Sequence, residues 1–115
     1  MQSSNVTGFR CTGWWEQDFY GRQPMRNLQL TLTGDSLQGS GWDIIGPFKL
    51  TGEITGGNVV ILKQYLGRHQ VQYLGTYDGE GVLAGEWRIG EWGGRWLISL
   101  TPSSDVSGAE IETLE

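Results

Sequence analysis

One cysteine, one histidine and two lysines are all this chain has of those residue types. No apolar run approaches the ~18–20 residues that cross a bilayer as a helix. The lone Cys11 excludes an internal disulfide, and with one histidine it leaves too few ligands for a zinc site. Lys and Arg together number 8 against 13 Asp and Glu, and they form no run. A formal net charge of -5 is opposite in sign to what a nucleic-acid backbone or an anionic membrane attracts. The first residues, MQSSNVTG, lack the basic and apolar regions of a secretory signal. These absences point to a cytoplasmic protein with no metal, no cofactor, no nucleic-acid partner and no membrane partner.

Glycine and tryptophan are abundant instead. There are 19 glycines in 115 residues, against a typical ~7%, and six tryptophans. No Gly-X-Y period accompanies them, so the chain is not collagen-like. Glycine mixed with Trp, Tyr, Val, Ile and Thr indicates short strands joined by tight turns. The alternation predicts strands at about 8–16, 27–33, 36–43, 47–54, 58–65, 68–77, 81–89 and 95–101. No segment has a helical period. Residues 1–7 read as a leader, 8–101 as one β domain, and the polar, acidic 102–115 as a disordered tail.

Ordinary hairpin loops keep one apolar face through the meander. That face carries Leu28, Leu30, Leu32, Leu37, Phe48, Leu50, Ile54, Val59, Ile61, Val71, Leu83, Trp87, Ile89, Trp96, Ile98 and Leu100, with glycines 39, 41, 52, 75 and 85. Loops at 44–47, 66–68, 78–80 and 90–95, with a long connection at 17–26, satisfy this alternation. Eight strands with one apolar face remove their edges by closing on themselves. The predicted fold is an all-β, eight-stranded antiparallel up-and-down meander β-barrel. The inward glycines either let large side chains cross the interior or leave space for a ligand.

Polar groups also fall on the inner face. In the stretch KQYLGRHQVQYLG, residues Lys63, Tyr65, His69 and Tyr73 point inward, together with Asp43 from GSGWDIIG. Loop order puts Trp15, Asp43, Phe48, Tyr65, His69 and Trp96 at one mouth, with Lys63, Tyr73 and Trp87 below. Aromatic walls with a few convergent polar groups describe a small-molecule site. The same residues equally describe a polar plug satisfied by its own ion pair.

The hairpin YLGTYDGEGVLAGEWRI and the final GGRWLISL resemble the small meander barrels of the calycin type, avidin and streptavidin among them, over about residues 8–101. That resemblance implies a small ligand inside the barrel and frequent oligomerisation. The spacings GxGxDxxGxF (39–48), KxYxGxHxVxYxG (63–75) and GxWxI (85–89) also resemble a widespread domain with no assigned activity.

Two functions follow. In the first, the barrel binds a small, partly polar ligand, an anion among the candidates, without chemistry, at a mouth lined by Trp15, Asp43, Phe48, Lys63, Tyr65, His69, Tyr73, Trp87 and Trp96; Lys63 supplies charge and His69 makes binding respond to pH. In the second, the interior is full and the barrel forms homo-oligomers through outward-facing Trp42, Val60, Leu62, Leu74 and Leu97. An enzyme using Asp43 and His69 as acid and base is the weaker reading, because no Ser or Cys nucleophile falls beside them.

Overall fold

A computed structural model describes residues 6–102. The predicted 102–115 tail, beyond Pro102, and the first five residues of the leader lie outside the described residues. Eight strands follow in order: β1 (Val6–Gln17), β2 (Gly21–Thr33), β3 (Ser36–Asp43), β4 (Gly46–Thr55), β5 (Asn58–Tyr65), β6 (Gln70–Tyr77), β7 (Val82–Ile89) and β8 (Trp92–Pro102). Each pairs antiparallel with the next, and β1 pairs with β8, so the meander closes into a barrel. None of the described residues forms a helix long and apolar enough to cross a membrane.

Strict alternation drives this closure. Along β5, Val59, Ile61, Lys63 and Tyr65 are buried, while Val60 and Leu62 face solvent. The sixteen buried apolar residues form one cluster, Leu30, Leu37, Phe48, Ile61, Leu83 and Ile98 among them. The predicted inward and outward sides hold throughout β3 to β8.

Depth along the axis differs from the expectation in three hairpins. The β3–β4 turn is only Ile44-Ile45, so Asp43 pairs with Gly46 rather than Phe48. The Asp43 carboxylate accepts the Ile45 N–H at 2.9 Å and closes the turn itself. The β6–β7 loop keeps one more residue, 78–81, and Tyr77 meets Leu83. The β7–β8 turn is Gly90-Glu91, with Gly90 at φ 58°, and Ile89 meets Trp92. Gly93 and Gly94 are strand residues, not loop. Trp96 therefore pairs with Gly85, well inside the barrel, rather than with Ile89 at the mouth.

The long connection expected at 17–26 is also strand. β1 turns tightly through 18–20 into β2, and Met25 is buried. Met25 and Leu28 both face inward although three residues apart. The register shifts between Arg26 and Gln29, and Asn27 sits at φ 50°. This bulge inverts the alternation and lets Pro24 lie in the strand.

Candidate functional site

Asp43, at the end of β3, organises the polar centre of the barrel. Its Oδ2 accepts hydrogen bonds from Lys63 Nζ at 2.7 Å, Tyr65 OH at 2.6 Å and Trp15 Nε1 at 3.1 Å. Its Oδ1 takes the Ile45 N–H. Lys63, on β5, also donates to Tyr73 OH at 3.1 Å and lies 3.7 Å from the Met25 sulfur. The ammonium is boxed by aromatic rings, with the Phe48, Tyr65, Tyr73 and Trp15 centroids 4.2, 4.8, 5.2 and 5.7 Å away. Their negative faces partly replace lost hydration. The Lys63–Asp43 pair is buried, with side chains 1% and 0% exposed.

Burial dominates the protonation of these groups. It lowers Lys63 from 10.5 to about 8, and the Asp43 charge and hydrogen bond offset only part of that fall. Burial, then Asp43 as hydrogen-bond partner and neighbouring charge, pushes the Tyr65 hydroxyl far above its ordinary value. Burial and the Asp43 charge do the same to Tyr73. Both tyrosines are therefore neutral hydroxyls at any ordinary pH.

Above this centre lies a cavity of about 480 Å³, open at the mouth. Of the nine expected site residues, Trp15, Tyr65, His69, Tyr73 and Trp87 line it. Asp43 and Lys63 sit behind that lining and touch it through Trp15, Tyr65 and Tyr73. Phe48 packs edge-on to Tyr65 in the core, and Trp96 stacks at a tilt on Tyr73. Neither reaches the cavity. An ion-paired polar centre therefore forms the floor, and an aromatic-lined space stands above it.

Gln17, Tyr20, Gln23, Ile44, Ile45, Val71, Ile89 and Trp92 complete the wall and were not among those nine. The first five lie in or beside two connections assigned too long. Every hairpin tip at this end also carries a large exposed apolar side chain: Phe19 and Tyr20, Ile44, Leu66, and Trp92. The glycine and acidic turns at the opposite end carry none.

The remaining chemistry is sparse. Asp43 makes its hydrogen bonds to Trp15, Ile45, Lys63 and Tyr65, while His69 is exposed and stacks at a tilt on Tyr65, 5.0 Å between centroids. No acid–base pair of the two is formed. Burial pushes the Cys11 thiol up to about 12, so it is not a thiolate nucleophile at neutral pH. Among the described residues no group of three or more His, Cys, Asp or Glu could hold a metal ion. On the outer face Glu16 bridges Arg22 and Arg95, and both ion pairs are solvent-exposed and contribute little. The chain matches no family model, no curated protein and no solved structure.

Proposed function

We propose that this barrel binds one small, mainly apolar molecule in the mouth cavity and performs no chemistry on it. One observation carries the reading: an open, aromatic-lined space sits on a polar centre whose charges already pair with each other. A plug alone needs no space above it. Trp15 and Trp87 meet edge to face at 5.9 Å and supply a rigid wall. The resemblance of the sequence to calycin-type barrels, which implies a small ligand inside the barrel, agrees with this reading. The free Cys11 thiol fits a reducing compartment such as the cytoplasm, and the charge of -5 argues against nucleic acid as partner.

Native mass spectrometry of gently purified protein, repeated after denaturation, tests this. A small excess mass lost on denaturation is expected. A bare chain that also fails to take up any aromatic probe would overturn the reading.

A second reading rests on Val60, Leu62 and Leu74, which are exposed on the adjacent strands β5 and β6, with Val60 directly opposite Leu74. We propose this stripe as the contact between two copies of the chain. Leu62→Lys should then halve the mass in solution and delay elution without lowering the melting temperature. An unchanged elution volume would rule the contact out.

A further inference from the structure

Each buried polar hydrogen at the inner end of the cavity can be assigned a partner, with one exception. The Trp15 N–H and the Tyr65 O–H both go to Asp43. The Trp87 N–H goes to the Glu16 carbonyl at 2.9 Å. The Tyr73 oxygen accepts from Lys63, yet among the described residues its own hydrogen has no acceptor. Tyr73 is 2% exposed and lines the cavity. A buried donor without a partner is rare and unfavourable, and it calls for an acceptor from outside the chain. Donation from the Lys63 ammonium also polarises the Tyr73 O–H and makes it a better donor.

The charges narrow the class further. Asp43 already holds four donors and does not line the cavity, so it offers little to a cationic or hydrogen-donating ligand there. Lys63 is neutralised by Asp43 at 2.7 Å, so an anion entering the cavity would lose its hydration without a free counter-charge. Indole, phenol and imidazole rings make up just over half of the lining, with Ile and Val side chains and two glutamines between them, and the rings favour a flat body.

Resting on the binding function above, we propose that the ligand is a neutral, flat, largely apolar molecule whose carbonyl oxygen accepts the hydrogen of Tyr73. The polar centre of the barrel thereby presents one oriented donor and no net charge. A single water on Tyr73 would satisfy the same hydrogen without a ligand, and the test separates the two.

Equilibrium dialysis of the full chain against three probes of similar shape decides it: methyl naphthyl ketone, ethylnaphthalene and naphthoate. The ketone should bind about tenfold more tightly than the hydrocarbon, the factor for one buried neutral hydrogen bond. Tyr73→Phe should erase that preference, the ketone then binding no more tightly than ethylnaphthalene to the same variant. Equal binding of ketone and hydrocarbon to the wild-type protein would overturn the proposal, whatever the variant does. So would a preference that survives in Tyr73→Phe, or naphthoate binding more tightly than the ketone. Failure of all three probes to bind would instead remove the cavity as a binding site, and this inference with it.

Discussion

Lys63→Met is expected to destabilise the barrel by about 3–5 kcal/mol, because it leaves the buried Asp43 carboxylate without its cation. Met removes the donors to Asp43 and Tyr73 together with the charge, whereas a deprotonated Lys63 amine keeps N–H groups for both; Trp15, Tyr65 and the Ile45 amide still donate to Asp43. The double variant Lys63→Met/Asp43→Asn removes both charges and should recover at least half of that loss. Urea unfolding of the wild type and both variants measures this. A single-variant loss near zero would mean that the pair is not buried as described.

The same lysine gives a pH signature. Folded Lys63 releases its proton at about 8, and in the unfolded chain at 10.5. Between those values the unfolded state holds more protons, so stability rises with pH. Below about 8 both states are protonated and the penalty for burying the charge is fully present. Above about 10 the effect reverses, because unfolded tyrosines ionise while Tyr65 and Tyr73 keep their protons in the fold. Wild-type stability should therefore climb from pH 8 to about 10 and then fall, and the climb should be absent from Lys63→Met.

Gly85→Ala should be among the most damaging single-methyl insertions, at about 3 kcal/mol. A Cβ at Gly85 would press on the Leu74 carbonyl oxygen and the Gly75 Cα, both backbone atoms. The Trp96 indole donates to that same carbonyl at 3.2 Å and to the Glu86 carbonyl at 3.1 Å. Relief would require β6 and β7 to separate and Trp96 to lose an acceptor. Gly41→Ala meets the Phe48 ring at 2.9 Å and the Arg26 carbonyl at 3.1 Å, and a ring edge can give. It should cost about 1 kcal/mol. Chemical denaturation of both variants ranks them. A Gly85→Ala loss no larger than that of Gly41→Ala would show that the β6–β7 approach is looser than described.

These glycines show where the sequence stops being readable. Alternation identified the inward face, because a slip by one residue would put Lys63 and Val59 in water and Leu62 in the core. A slip by two or four residues leaves the face unchanged and moves a side chain one or two layers along the axis. The β3–β4, β6–β7 and β7–β8 hairpins slipped in that way, and Trp96 was misplaced for this reason alone. The correcting signal was a side chain, the Asp43 carboxylate capping its own turn, which composition does not reveal. The polar centre was legible because Asp43, Lys63, Tyr65 and Tyr73 share the face. The wall from Gln17, Tyr20 and Gln23 was not, because the Asn27 bulge breaks the alternation that would have extended β2. The glycines fill a role besides the two weighed from sequence. Gly39, Gly52, Gly75 and Gly85 crease the sheet so that backbone approaches backbone.

Closure of the barrel has a kinetic side. Every strand pairing but β1–β8 joins neighbours in the chain. Hairpins of that kind zip locally and quickly, whereas the last pairing must bring together the two ends of the meander. Trp15 stands on β1, and it meets Trp87 on β7 only when that seam is shut. The cavity therefore does not exist in an unsealed barrel. A molecule bound there selects the sealed form and slows the parting of β1 from β8. The occupant of this site would act as a latch on the seam as well as its guest.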